Sequence, residues 1–441
     1  MGNSAPEAKQ GPGSYTEYPF AGWLHKTLDI AVPSRLHWVG SSTPPLHGIR
    51  ISIKDLYHLN GMQTSLCNSA YDDLYGTQHK SAEIIKRLIR KGVYIVGKNH
   101  LSSFALQEHP TQSDRYTSPF NPRGDGYQIP GGSSGGSACA VASREWLHFA
   151  IGSDATGIIR IPALLNECFG LRPSTGSLST VGMVSVCPKY DTPGLLGRKL
   201  EKFPRFVKEW YDRVEIMTQT TTVTKFLVPI DFFPLTSTTQ KDIIESFIQD
   251  VQTFEHIKAE YISIADMWSE HGPVDENDIN KYLQNATLYS FYYAANKSFR
   301  PFRDDFESSH DRKPYITENS DQGERVFEAQ HEDMEERIQT FKSWFLQEVM
   351  KAPDHNAIVL FPIADMKPNY RDSYPGVPES PVTGLRQTFV SPYLGSPEIV
   401  IPIGHSEYQS KITGKKEALP VAVSLMGLLG TDIGWILRLR R

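Results

Sequence analysis

Apolar positions along this chain follow two rhythms, one of period two and one close to 3.6. In GIRISIKDLY (48–57), Ile49, Ile51 and Ile53 recur at every second residue, which predicts a strand with those three on one face. Ser81 is placed to cap a helix in which Ile84, Ile85, Leu88 and Ile89 form an apolar stripe. Gly92 stops that helix, and VYIVG (93–97) follows as a buried type of strand. Short apolar runs and helical patterns go on alternating to about Lys202, which predicts an α/β layered fold.

The pattern then changes. Residues 203–352 are rich in aromatic and charged residues and read as a variable, largely helical segment. Within it, Phe327, Met334, Ile338, Phe341, Phe345 and Val349 predict one long amphipathic helix over 326–350, its aromatic stripe serving as core or lid. The acidic groups at Asp304–Ser308 and His331–Glu336 read as solvated faces. Strand-like runs return as AIVLFPIAD, EIVIPIG and LPVAVSLMG, and these are expected to close the same sheet. The economical organisation is a flexible Gly/Pro/Ser-rich lead-in over 1–18, then a single domain over 19–441.

Composition narrows the class. The chain is 39% hydrophobic and 22% charged with a net charge of −5, the balance of an ordinary globular protein. No clustered Lys/Arg face marks a nucleic-acid partner. Four scattered cysteines (Cys67, Cys139, Cys168, Cys187) without a CxxC pair favour reduced thiols in a cytoplasmic protein. The N-terminus lacks the apolar region of a secretory signal, and Pro6 stands where a myristoylation pattern wants Ser or Thr. The apolar stretch Leu419–Leu439 is broken by Pro420, Ser424, Thr431 and Asp432, so it reads as strand plus helix and not as a membrane span. No metal-ligand spacing or cofactor fingerprint is present, so none of either is expected.

IPGGSSGGSACAVAS (129–143) stands out next. Alone, a Gly/Ser run is commonly a linker. It lacks the Lys-Ser/Thr of a P-loop and the GxGxxG of a dinucleotide site. Here, however, the glycines lead straight into the helix-forming ACAVAS, which predicts a tight loop able to aim several N–H groups at one point. Upstream, Lys54 ends an apolar strand. Downstream lies IGSDATGIIRIPALLNECFGLRPSTG (151–176).

That order, strand-Lys-Asp, Gly-Ser-Ser-Gly-Gly, then Gly-Ser-Asp-x-x-Gly-x-Ile-Arg-x-Pro, resembles the amidase signature family. The likeness is dense over about 45–200 and moderate over 355–437. It implies an α/β domain with one large mixed sheet flanked by helices, and ancestral hydrolysis of a carboxamide C–N bond. It also implies roles: a neutral Lys54 as base, Ser133 as the relay joined to Gly132 by a cis peptide, and Ser134 as a loop support. Asp154 and Arg160 would brace the third motif, with backbone N–H groups of Ala155, Thr156, Gly157 and Ile158 as an oxyanion hole. A lysine can act as base only if burial or nearby positive charge depresses its pKa.

The third motif departs from the family. Ile158 stands at the nucleophile position, and Thr156 replaces the first of two glycines. An isoleucine side chain has no lone pair and no proton to give. Three readings follow: hydrolysis is lost and the fold serves as a silent binding or partner protein; Thr156 or Ser133 attacks instead; or position 158 is a variant of a normal amidase. The partners implied are a small-molecule amide or related ligand and, for assembly, a homodimer. The run REWLHFAIGSDATG is similar to fungal amidase-like proteins of specialised metabolism, which implies a setting and no substrate. A protein like the glutamine-hydrolysing part of an amidotransferase would also need the missing serine.

Overall fold

β1 (Arg50–Lys54) is flanked by β2 (Tyr94–Asn99) and β3 (Phe149–Asp154), both parallel to it. Ile51 and Ile53 are fully buried, but so are Ser52 and Lys54, so β1 is covered on both faces and its alternation is only half of the story. The remaining strands are β4 (Phe169–Arg172), β5 (Thr192–Gly197), β6 (Lys225–Pro229), β7 (Ala259–Ile262), β8 (Ala357–Pro362), β9 (Glu398–Gln409) and β10 (Lys416–Met426). They form one ten-stranded mixed sheet in the order β2-β1-β3-β5-β4-β9-β10-β8-β6-β7. This computed structural model describes residues 43–432 and 434, apart from 107, 114, 212–221, 234–235, 317–322, 375 and 377–383. The expected lead-in over 1–18 and the expected helix after β10 therefore lie outside the described residues.

Helices cover both faces of the sheet. Alternate residues of one strand enter different apolar clusters: Phe149 and Ile151 pack on one side and Ala150 on the other, and Leu195 and Leu196 divide in the same way. Burial on both faces is why these strands read as nearly continuous apolar runs.

Two local expectations are corrected by the fold. Ser81 does not cap the helix that follows it. That helix runs Glu83–Arg90 with Ala82 at its N-cap and no side-chain cap bond. Ser81 Oγ instead accepts the Asn60 N–H, while the Glu83 N–H is met by the Val181 carbonyl. A tertiary backbone partner thus replaces the cap. The second concerns 203–352, which is largely helical but also supplies β6 and β7 to the sheet edge, β6 pairing parallel to β8. Runs as short as KFLVP cannot be told from helix by periodicity. The long amphipathic helix is present as Glu328–Trp344 with a π-turn at Phe345–Val349. Met334, Ile338, Phe341, Phe345 and Val349 are buried, while Phe327, ahead of the first turn, is exposed.

Candidate active site

The parallel strands β1 and β3 end side by side, with Ile51–Ile53 opposite Phe149–Ile151. Their carboxyl ends deliver Lys54 and Gly152–Asp154 to one point, the usual place for a site in a parallel sheet. The Gly/Ser loop reaches the same point before entering the helix Gly135–Ser143. The Gly132–Ser133 peptide in that loop is cis. Gly152 is required at the crossing, since a Cβ there would lie 2.9 Å from Ser134 Oγ and 2.5 Å from Ile159 Cδ1.

These elements surround Lys54 with hydroxyls. Its Nζ is 2.7 Å from Ser133 Oγ, 2.9 Å from Ser134 Oγ and 2.9 Å from Ser153 Oγ. Lys54, Ser133 and Ser134 have no exposed surface. Among the described residues, no carboxylate is within hydrogen-bonding distance of Nζ. Burial therefore brings the lysine down to about 7, against the longer-range pull of Asp191 and Asp154 in the other direction. Ser134 also ties the two loops: its N–H donates to the Ile158 carbonyl, and its Oγ donates to the Ser153 carbonyl.

One residue further along, the electrostatics reverse. Asp154 receives Arg160 Nη2 and Arg172 Nη1, each at 3.0 Å on Oδ1, and Arg160 Nη1 reaches Glu398 Oε2 at 2.7 Å. All four side chains are buried. Burial alone would raise the Asp154 carboxyl, but Arg160 and Arg172 outweigh it and hold it below the usual carboxylate range. Asp154 and Arg160 are thus joined as a bracing pair, within a larger set that includes Arg172 and Glu398. The second arginine was visible in GLRPSTG, but nothing in its spacing pointed to Asp154. Glu398 opens β9, far away in sequence, and left no signal. Ser153 was legible as the hydroxyl position of the motif, without a role.

Asp154 also organises the loop. Its oxygens accept the N–H groups of Gly157 (3.2 Å) and Ile159 (3.0 Å). Gly157 at φ +114° makes the turn. Its N–H is therefore spent on Asp154 and does not join the oxyanion donors expected from the sequence. Among the described residues, no hydrogen bond takes up the N–H of Ala155, Thr156 or Ile158, and these remain the donors the loop can offer.

A cavity of about 260 Å³ opens beside this loop. Gly131, Gly132, Thr156 and Ile158 form its wall on the Lys54 side, while Lys54 and Ser133 contribute no lining. Phe291, Tyr292 and Phe389 face it from the helical segments. His100 also lines it, held at about 4 by burial and so uncharged near neutrality. Among the described residues, no group of three or more His, Cys, Asp or Glu could hold a metal ion.

A buried lysine without a carboxylate, met by serine hydroxyls at the strand ends of an α/β sheet, is the arrangement a proton relay requires. Residues 29–233 match the family model described as Amidase, and over this segment the chain is similar to the amidase signature family. Amidase 1 of Arabidopsis thaliana is 34% identical over 158 residues, 36% of each chain. A glutamyl-tRNA(Gln) amidotransferase subunit of Saccharolobus solfataricus is 35% identical over 156 residues, 35% of this chain and 32% of that one. The chain thus matches about a third of the length of these curated relatives. Among solved structures, an amidase crystal structure superposes with a TM-score of 0.68 at 21% identity, covering 90% of this chain and 84% of that one. The Kluyveromyces lactis allophanate hydrolase carrying S177A gives 0.68 at 18% identity, over 90% and 61%. These two likenesses establish the fold. No helix among the described residues is long and apolar enough to cross a membrane.

Proposed function

We propose that this chain is an amidase-derived protein whose cavity takes a small amide or related ligand, and that serine-dependent cleavage of C–N bonds has been lost from it. One observation carries the reading: Ile158 lines the cavity at the position of the family's attacking serine, while Lys54 and Ser133 have no surface there. In the ancestral reaction a serine hydroxyl attacks the amide carbonyl, Ser133 relays its proton to Lys54, and loop N–H groups hold the oxyanion. A lysine brought to about 7 suits the base's task. The base and relay are therefore poised, and the group they would activate is absent. The transferable chemistry is acyl transfer; the present role is binding. A cytoplasmic setting is supported by four free, buried cysteines.

The test pairs wild type with Ile158→Ser. Wild type is expected to give no turnover of aryl amides and no labelling by a fluorophosphonate probe. Ile158→Ser is expected to label at residue 158 and to raise turnover by about a thousandfold or more, the scale lost when such a relay loses its nucleophile. Labelling of wild type at any Ser or Thr would overturn the loss of hydrolysis. Failure of Ile158→Ser to gain either would remove the relay roles of Lys54 and Ser133.

A second reading rests on Thr156, whose side chain is partly exposed and lines the same cavity. If wild type acylates slowly, Thr156→Val abolishes that acylation when Thr156 is the substitute nucleophile, and leaves it unchanged when Ser133 is.

A further inference from the structure

Three arginines lie close to the loop 155–160, and they differ in what neutralises them. Arg160 and Arg172 are buried and each meets the Asp154 carboxylate. Arg386 lines the cavity, partly buried, and among the described residues its guanidinium has neither a carboxylate nor a hydrogen-bond acceptor. Its Cζ lies 5.9 Å from the centre of the Phe389 ring. A guanidinium stays charged at any ordinary pH, and a desolvated charge without a partner is costly. Such a group at a cavity wall is an anion site awaiting its ligand.

The surroundings agree. Glu108, the other charged residue among the described lining, accepts the Ser103 N–H. Arg386 is the N-cap of the helix Gln387–Leu394, whose first turn places Thr388 and Phe389 on the same wall. The positive end of that helix therefore adds to the potential there. The helix packs directly on the loop: a Cβ on Gly157 would lie 3.1 Å from Thr388 Cβ. Arg160 fixes it further by donating to the Thr388 carbonyl at 2.7 Å. An anion held by Arg386 thus sits beside the segment that would hold the amide carbonyl. Phe291, Tyr292 and Phe389 supply apolar walls between.

We propose that Arg386 is the anion-recognition residue of this cavity, and that its ligand is a small amide or related acyl compound bearing a carboxylate. This rests on reading the cavity as the ligand site. The experiment titrates two isosteric probes, 4-carbamoylbenzoate and neutral terephthalamide, into wild type, Arg386→Gln and Arg386→Lys by calorimetry. Wild type is expected to prefer the carboxylate by at least about tenfold, the scale of a charge-assisted bond to a carboxylate. Arg386→Gln is expected to abolish that preference, and Arg386→Lys to keep part of it. Should Arg386→Gln fail to fold, the wild-type preference still decides, and it must shrink as salt is raised. Equal affinity of wild type for the two probes, or an unchanged preference in Arg386→Gln, overturns the assignment of Arg386 and leaves the cavity as a ligand site. Binding of neither probe to wild type overturns both readings.

Discussion

Two buried charge sites meet at adjacent residues at the end of β3, Ser153 and Asp154, and are built on opposite terms. Around Lys54 the partners are three hydroxyls, Ser133, Ser134 and Ser153. Around Arg160 and Arg172 they are two carboxylates, Asp154 and Glu398. In the first, no carboxylate within hydrogen-bonding distance offsets the desolvation of an ammonium, and burial outweighs the longer-range pull of Asp191 and Asp154, so the lysine falls to about 7. In the second, two positive and two negative groups are paired at 2.7–3.0 Å, which holds the network rigid. Under the proposed function the contrast divides labour: the balanced set would hold the loop's shape, and the unbalanced lysine would carry whatever proton chemistry remains. Asp154 belongs to the second set while its neighbour Ser153 belongs to the first, because successive residues of β3 point to opposite faces.

Breaking the balanced set gives the largest expected effect. Asp154→Asn leaves Arg160 and Arg172 facing Glu398 alone and, with one acceptor oxygen in place of two, leaves the N–H of either Gly157 or Ile159 unmet. The expected loss is about 3–5 kcal/mol, measured by urea unfolding; a loss below about 1 kcal/mol would mean that the network is not balanced as described. Glu398→Gln keeps a hydrogen-bond acceptor for Arg160 and removes one charge, so about 1–3 kcal/mol is expected.

The unbalanced site shows itself through pH. The lysine sits at 10.5 when unfolded and at about 7 when folded. Between those values the unfolded chain binds a proton that the native protein does not, so stability rises with pH. This group contributes up to about 1.4 kcal/mol per pH unit. Below about 7 the penalty is constant. Lys54→Met should flatten the rise, and unfolding free energies between about pH 7 and 10 that stay parallel for wild type and variant would refute the depressed lysine. Smallest of all, Thr156→Val lies in neither set and on the cavity wall, so its expected cost is within about 0.5 kcal/mol. A larger loss would place Thr156 in the loop's bracing.

Much of this was legible from residue types and order. Lys54, the Gly-Ser-Ser-Gly loop and the run 152–160 pointed to the family and to the hydroxyls that meet the lysine. The strands β1, β2, β8, β9 and β10 were visible because burial on one or both faces leaves continuous or alternating apolar runs. Other features were not. Ser81 looked like a cap because capping is judged from neighbours in the chain, whereas the Val181 carbonyl that replaced it comes from another loop. β6 and β7 are too short for a period to declare itself.

What the sequence determined by itself is the inventory: which groups can give or take a proton, which backbone can turn tightly, and that residue 158 can do neither. The tertiary structure decided how those groups behave. A lysine's pKa is set by what is packed around it, and Lys54 meets three serines drawn from two other segments. Likewise, whether an arginine is neutralised depends on partners brought by the fold. Glu398 reaches Arg160 from β9, and no such carboxylate reaches Arg386 among the described residues. Burial and pairing are properties of space, and one strand of residues records them only where partner and group happen to be near in sequence.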